Sequence, residues 1–201
     1  MVIVSDLKLI SAIVAVALVI VGFYSYFRDI FKSKTTPHLY TWLIWGITQG
    51  TATAASWYGG GKLGAISLAI GTILVIAIFC LAIKYGTKNI SRSDVMLLIV
   101  ALLAIIVWRQ MGNPLIAVLM VTTIDAIGFI PTFRKSFVDP WSETLSFWAS
   151  MAMASIFIIA SIAQYNFLTV TYAAMLLIGN TTVWTICFFR RKILKEASLT
   201  P

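Results

Sequence analysis

The sequence is poor in charge and in the side chains that usually carry chemistry. Of its 201 residues, 11% are charged, one is histidine and two are cysteine. A soluble domain of this length would need a charged surface that the chain lacks, so the composition excludes a soluble fold. The sequence shows no nucleophile–base pair, carboxylate pair, metal-ligand cluster or phosphate-binding loop, and a single histidine limits acid–base chemistry. We therefore predict a protein that is not an enzyme and that has no catalytic residue, bound metal or cofactor.

Apolar residues dominate what is present: 60% of the chain is hydrophobic, and the mean hydropathy is +0.96. A helix needs about 20 such residues to cross about 30 Å of hydrocarbon. The sequence divides into seven apolar segments, which predict an all-α integral membrane protein with seven transmembrane helices. The segments are Leu9–Asp29, Pro37–Tyr58, Leu63–Lys84, Asp94–Trp108, Pro114–Arg134, Pro140–Ala163 and Leu168–Phe189. Three start with proline, behind Thr36, Asn113 and Asp139 as predicted caps.

The 21 residues that end at Trp42 recur in the 21 residues that end at Trp148. Seven positions are identical at this one constant offset. They are Gly22/Gly128, Phe23/Phe129, Phe27/Phe133, Arg28/Arg134, Phe31/Phe137, Leu39/Leu145 and Trp42/Trp148. Each copy is interpreted as the end of one helix, a short basic loop and the start of the next helix.

The repeat predicts two parallel three-helix units joined by the fourth helix, a 3+1+3 plan. The corresponding divisions are a first unit at 1–90, a linker helix at 91–112, a second unit at 113–192 and a cytoplasmic tail at 193–201. A membrane protein built from two parallel copies of a short helical unit is usually a transporter, with its binding site between the copies.

Basic residues are unevenly divided between the two sides that this plan defines. Twelve lie in the first, third and fifth loops and the C-terminal tail, against three elsewhere. The twelve are Arg28, Lys32, Lys34, Lys84, Lys88, Arg92, Arg134, Lys135, Arg190, Arg191, Lys192 and Lys195, and the three are Lys8, Lys62 and Arg109. The positive-inside rule then places the N-terminus outside and the C-terminus in the cytoplasm, in a plasma (inner) membrane. Because the net charge of +8 is spread over four loop patches, we do not expect nucleic-acid binding.

The segment Phe129–Phe137 resembles the PQ-loop pattern of the SWEET sugar transporters and their half-size bacterial relatives, in which an apolar helix ends in Pro-Gln and basic residues follow. Thr132 stands where that pattern has Gln, and the first copy has Ser25–Tyr26 in place of Pro-Gln. The resemblance implies the 3+1+3 fold and transport by alternating access. Pro131 is a candidate hinge because proline bends its helix. The segment Thr36–Gly46 also resembles an uncharacterised bacterial family of seven-helix membrane proteins.

Asp125 is the only carboxylate far from the end of a predicted helix, and it lies near the middle of the fifth segment. An acid at that depth costs roughly 2.5–3.5 kcal/mol on insertion scales, so it should face the protein interior with a partner or be protonated. It is therefore a candidate proton-coupling acid or an acceptor for a polar substrate. The alternative is an interhelical hydrogen bond to a Thr, Asn or Gln.

Asn180 lies midway along the seventh segment, and Thr72 lies at the corresponding place in the third. The SWEET resemblance implies that polar residues at these two places hold substrate. Asn180 fits that role directly, whereas Thr72 fits it as a polar substitute. The alternative for Asn180 is a structural one, since Asn often joins helices in membranes at a gain of roughly 0.6–2 kcal/mol.

The second segment presents His38, Trp42, Trp45 and Gln49 at steps of four, three and four, which places them along one helix face. Aromatic rings beside a polar side chain suit a ring-shaped ligand, so Trp45 and Gln49 are candidate pocket residues. His38 and Trp42 are candidate gate residues, as is Trp148, which matches Trp42 across the repeat. The alternative is that the tryptophans anchor the helix at the membrane interface.

Two function classes follow. The first is a carrier of a sugar, a nucleoside-like molecule or another small polar substrate, with protons as a candidate coupling ion through Asp125. The second is a membrane receptor or scaffold on the same fold, with a site open to one side. Nicotinamide riboside transporters and the KDEL receptor share this fold clan, so the fold alone does not select a substrate. The expected partners are a small molecule and the lipid bilayer. The sequence leaves open whether the chain forms a homo-oligomer.

Overall fold

The computed structural model of the chain describes residues 2–86, 90 and 92–197. These residues form seven α-helices and one short 3-10 turn, and no β-strand occurs among them. The helices are α1 (Val2–Phe31), α2 (Leu39–Tyr58), α3 (Leu63–Tyr85), α4 (Arg92–Met111), α5 (Pro114–Val138), α6 (Leu145–Ser161) and α7 (Phe167–Ala197). The 3-10 turn, Pro140–Ser142, lies between α5 and α6.

Four of the helices in the described ranges are long and apolar enough to cross a membrane. These spans are Asp6–Phe31, Leu63–Tyr85, Pro114–Val138 and Phe167–Lys195, in α1, α3, α5 and α7. α6 has 17 residues, and the apolar part of α4 covers Val95–Gln110. α2 has 20 residues, but a glutamine and several threonines lower its hydropathy. The prediction of an all-helical membrane protein therefore holds, with four rather than seven helices that meet this requirement.

α2 begins later than the predicted proline start. Its first residue is Leu39, and the imidazole Nδ1 of His38 accepts a hydrogen bond from the backbone N–H of Thr41 at 3.4 Å. His38 has an extended backbone and an acceptor on its side chain, which are the properties of a helix N-cap. The predicted assignment of Thr36 as the cap and Pro37 as the first helical residue is wrong.

The two other proline starts have different outcomes. α5 begins at Pro114, and Asn113 caps it by accepting a backbone hydrogen bond at 3.0 Å, which confirms that prediction. Pro140 instead opens the 3-10 turn. Ser142 donates both its N–H and its hydroxyl to the carbonyl of Asp139, at 3.3 and 2.7 Å. Such local bonds compete with helical ones, so α6 begins only after this turn.

The C-terminal segment is helical where a tail was predicted. α7 continues to Ala197, while residues 198–201 lie outside the described ranges, as do 87–89 and 91 near the predicted start of the linker. The guanidinium of Arg191 donates to the carbonyl oxygens of Pro140 and Glu143 at 2.9 and 2.7 Å. These bonds anchor the end of α7 on the connection between α5 and α6.

The helices pack in a regular order. α3 packs between α1 and α2, and α7 packs in the same way between α5 and α6. The two groups meet where α1 lies against α6 and where α2 lies against α5, and α4 covers α2 and α5 from outside. The largest hydrophobic core lies between the groups and includes Phe23, Trp42, Phe129 and Trp148, which are two of the matched pairs of the sequence repeat.

Glycine permits close contact between the groups at two matched positions. A Cβ on Gly22 of α1 would lie 2.5 Å from the terminal methyl of Met151 on α6. A Cβ on Gly128 of α5 would lie 3.4 Å from the indole nitrogen of Trp45 on α2. Gly128 matches Gly22, and Met151 matches Trp45 at the same offset. The contact between α1 and α6 therefore has its counterpart between α5 and α2.

Candidate functional site

Six helices, all except α4, enclose a cavity of about 70 Å³, which we call the inner cavity. It brings together the predicted site residues Trp45 and Gln49 from α2, Asp125 from α5 and Asn180 from α7. Its polar lining consists of Gln49, Ser67, Asp125, Ser155, Tyr172 and Asn180. Its aromatic lining, besides Tyr172, consists of Phe23, Trp42, Trp45, Phe129, Phe147 and Trp148.

Asp125 is buried at 2% exposure and lines the inner cavity. The hydroxyl of Tyr172 on α7 donates a hydrogen bond to its Oδ2 atom. Its Oδ1 atom is buried without a hydrogen-bond partner among the described residues. Since buried carboxylate oxygens are normally hydrogen-bonded, this atom is an acceptor whose bonding capacity is left unused.

Tyr172 was not among the predicted partners of Asp125. The alternative to a functional role was a hydrogen bond to a Thr, Asn or Gln on a neighbouring helix. Tyr172, Leu176 and Asn180 follow one another at steps of four along α7, and all three line the inner cavity. This spacing on one helix face, extended back from Asn180, would have included the tyrosine.

The two amide side chains differ in their hydrogen bonding. Nε2 of Gln49 donates to the carbonyl of Leu68 on α3 at 3.3 Å, so its Oε1 atom is left as an acceptor. The side chain of Asn180 is 5% exposed. It lines the inner cavity, where its amide offers both a donor and an acceptor, and its structural role of joining two helices stays an alternative.

Thr72 does not reach the inner cavity. Its hydroxyl donates to the carbonyl of Leu68 in its own helix at 3.0 Å and lies 3.1 Å from the hydroxyl of Thr53 on α2. The preceding residue, Gly71, lines the cavity instead. One residue corresponds to a rotation of about 100° around a helix, so Thr72 faces α2 while Gly71 faces the cavity.

A second, larger cavity of about 660 Å³ lies at the end of the bundle where α1 and α5 end and α2 and α6 begin. We call this cavity the vestibule. We call this end of the bundle the basic end, because it carries Arg28, Lys34, Arg134 and Lys135. The polar lining of the vestibule includes His38, Lys135 and Glu143. The predicted gate residue His38 thus lies on the vestibule wall, where it also caps α2.

Four aromatic residues line both the vestibule and the inner cavity: Trp42, Trp45, Phe147 and Trp148. We call them the aromatic layer. Trp42 and Trp45 make an edge-on contact with ring centroids 5.3 Å apart, as do Phe147 and Trp148 at 5.1 Å. The layer separates the two cavities, so the predicted gate residues Trp42 and Trp148 lie where a gate would be needed.

Glu143 holds the aromatic layer in position from the vestibule side. One carboxylate oxygen accepts a hydrogen bond from the indole N–H of Trp148 at 3.0 Å. The other pairs with the ammonium of Lys135 on α5 at 3.0 Å. Pro131 lies one turn before Lys135, and α5 is helical on both sides of it, so its role as a hinge stays a prediction.

The opposite end of the bundle is closed by hydrogen bonds between the two groups of helices. The side-chain amide of Asn166 donates to the carbonyl of Gly59 at 2.7 Å. The backbone N–H of Ala163 donates to the carbonyl of Gly61 at 3.3 Å. Lys8 of α1 donates to the carbonyl of Ala163 at 2.9 Å. Gly60 has a φ of +84°, which favours glycine and permits this tight turn between α2 and α3.

Within the described ranges, no three His, Cys, Asp or Glu side chains come together in a group that could hold a metal ion. Asp125 is the one carboxylate that lines the cavity, and none of the lining residues is Lys, Arg or His.

No protein-family model, curated protein or solved structure matches the chain.

Proposed function

We propose that the protein is a membrane carrier for a small polar molecule, which binds in the inner cavity and moves by alternating access. One observation carries this proposal. A buried carboxylate oxygen of Asp125 lacks a hydrogen-bond partner among the described residues, and the amide of Asn180 lines the same cavity. Unpaired polar groups are costly in a membrane interior, and a polar ligand that bonds to them offsets that cost.

The packing supports the 3+1+3 plan as the framework of this carrier. Exchange of α1 with α5, α2 with α6 and α3 with α7 converts each main contact among these six helices into another observed contact. The equivalent pairs Gly22–Met151 and Gly128–Trp45 obey the same exchange. Two related units that meet around a central cavity can rock against each other, which is the usual basis of alternating access.

The two ends of the bundle are in different states, as a carrier captured in one conformation requires. At the basic end the vestibule reaches the aromatic layer, which is thin enough for its four side chains to line both cavities. At the opposite end, hydrogen bonds from Asn166 and Ala163 join the two units. In the proposed orientation the basic end is cytoplasmic, so this is the conformation that is closed to the outside.

Asp125 also suits proton coupling. It is buried between helices of the second unit, and it faces the cavity that the substrate would occupy. A carboxyl group in this place can exchange a proton only when the cavity is open to one side. Protonation would then be linked to the change of conformation.

The alternative function is a receptor whose site opens to one face. The vestibule favours this alternative because it is large, opens at the basic end and contains His38, Lys135 and Glu143 for binding a polar partner. A receptor of this kind would bind its ligand without moving it across a membrane.

Transport by purified protein in liposomes distinguishes the two. We would measure uptake of a labelled hexose, a nucleoside and a small amine, with and without an inward pH gradient. The carrier predicts that at least one is taken up, and that Asp125→Leu abolishes the uptake. Asp29→Asn is the control, since Asp29 is a buried acid that lies outside both cavities. Ligand binding without uptake by the wild-type protein would favour the receptor.

A further inference from the structure

The inner cavity has an unbalanced set of polar groups. Among the residues that the structure describes, Asp125 is its one carboxylate, and no basic side chain lines it. A neutral sugar would leave an ionised Asp125 without an opposite charge in a medium that barely screens it. The electrostatics therefore favour a ligand that brings a positive charge.

Hydrogen bonding points in the same direction. Ser67 and Ser155 already donate their hydroxyl hydrogens to backbone carbonyls of their own helices, at 3.1 and 2.8 Å. Each of these hydroxyls therefore has only lone pairs left to offer. Gln49 also has a free Oε1 atom, and Asp125 has a free Oδ1 atom. The described lining residues therefore offer several acceptors, one of them a carboxylate oxygen, which favours a ligand that donates hydrogen bonds.

The aromatic walls suit a cation as well. Phe129 lies with its ring against the backbone of Gly179 on α7, the residue before Asn180. The rings of Trp45 and Trp148 have their centroids 6.0 and 6.2 Å from that of Phe129. A cation within about 6 Å of such ring faces is attracted by their negative quadrupoles, and the attraction grows when water is excluded.

We infer that the ligand of the inner cavity is a small organic cation with N–H groups, that is, a protonated amine. The ammonium group bonds to Oδ1 of Asp125 and to the oxygen of Gln49, and it lies against the faces of Trp45, Phe129 and Trp148. The inner cavity of about 70 Å³ takes a few heavy atoms, and a longer ligand extends through the aromatic layer into the vestibule. This inference rests on the proposed function, which makes the inner cavity the binding site.

The test is a binding measurement on detergent-purified protein, by thermal shift and by calorimetry. The probes are isobutylamine, which is protonated at neutral pH, tetramethylammonium, which has the charge but no N–H, and isobutanol, which has neither. Potassium chloride at equal ionic strength controls for salt. We expect isobutylamine to bind most tightly, and isobutanol to bind about tenfold more weakly or not at all.

Asp125→Asn should weaken isobutylamine binding by about tenfold or more, because it removes the negative charge. Asp29→Asn, the same change at a buried acid outside the cavity, should leave the binding unchanged. The inference is overturned if isobutanol or potassium stabilises the wild-type protein as well as isobutylamine does, or if Asp125→Asn binds the amine as tightly. The comparison of probes uses only the wild-type chain, so it stands even if a variant does not fold.

Binding in detergent does not depend on transport, which separates the two proposals. Binding of isobutylamine without uptake in liposomes would reject the carrier and keep the cation site. Uptake of a hexose by a protein that does not bind isobutylamine would keep the carrier and reject the cation site.

Discussion

Tyr172 on α7 donates its hydroxyl hydrogen to Oδ2 of Asp125 on α5, and Oδ1 of the same carboxylate has no hydrogen-bond partner among the described residues. The pair joins α5 and α7 and fixes the direction of the carboxylate. Oδ2 is then structural, since it satisfies the tyrosine. The binding role proposed above for Asp125 falls to Oδ1.

Asp125→Asn and Asp125→Leu should have different effects. Asparagine keeps an oxygen that can accept from Tyr172, so Asp125→Asn should fold with little loss of thermal stability, while it abolishes transport driven by a pH gradient. Leucine leaves the buried tyrosine hydroxyl unpaired, which should lower the free energy of unfolding by about 1–3 kcal/mol. Thermal unfolding and uptake in liposomes measure the two effects. Accumulation against a gradient by Asp125→Asn would refute proton coupling through this residue.

Gly71→Ala should impair ligand binding without loss of stability. The new Cβ would lie 2.7 Å from Nε2 of Gln49, so the amide would have to move from its place on the cavity wall. Alanine is favoured over glycine in a helix by roughly 0.5–1 kcal/mol, which offsets part of the disturbance. We expect affinity to fall several-fold at an unchanged or slightly raised melting temperature.

The matched control for this change is Gly46→Ala. A Cβ on Gly46 would meet its nearest neighbours, Ile76 and Val75, at 3.5 and 3.9 Å, which are ordinary contacts. It should keep the wild-type affinity. If both alanine variants lose affinity equally, the position of Gln49 is not what determines binding.

Glu143→Ala should loosen the aromatic layer. It removes the acceptor of the Trp148 indole N–H and the partner of Lys135, both at 3.0 Å. Bonds to charged groups contribute about 1.5–3 kcal/mol, so opening of the layer should become about tenfold more frequent. The measurement is the rate at which a water-soluble thiol reagent modifies Ser67→Cys in a chain without its two native cysteines.

Asp139→Ala is the control for this gate, because Asp139 is an exposed acid at the same end that lines neither cavity. It should leave the modification rate unchanged. Equal rates in wild-type and Glu143→Ala proteins would mean that Glu143 does not hold the layer closed.

Single cysteines at the two ends of the bundle should report the orientation. Lys34 lies between α1 and α2 at the basic end, and Lys62 lies between α2 and α3 at the opposite end. In intact cells, a membrane-impermeant maleimide should label Lys62→Cys and label Lys34→Cys only after lysis. The reverse pattern would invert the proposed topology and place the vestibule outside.

The sequence predicted one face of the site well and the other poorly, for a physical reason. On α2, aromatic and polar residues recur at helical spacing among apolar ones, so the pattern marked Trp45 and Gln49 on the inward face. α3 is apolar on every side, so no periodicity marks which side faces inward. Thr72 was chosen because it lies at the place in the third segment that corresponds to Asn180, whereas the rotation of the helix brings Gly71 to the cavity.

The sequence by itself determined the class of the protein. Long apolar segments with little charge can only be helices in a membrane, because hydrocarbon offers no other partner to the backbone. It also determined the internal repeat, the interior location of Asp125 and the cavity-facing side of α2, since these follow from composition and spacing within one segment. The tertiary structure alone decided that Tyr172 bonds to Asp125, that Glu143 holds Trp148 and that four aromatic rings separate two cavities. Such relationships depend on how helices distant in sequence rotate and approach one another, and packing of side chains from both helices sets that geometry.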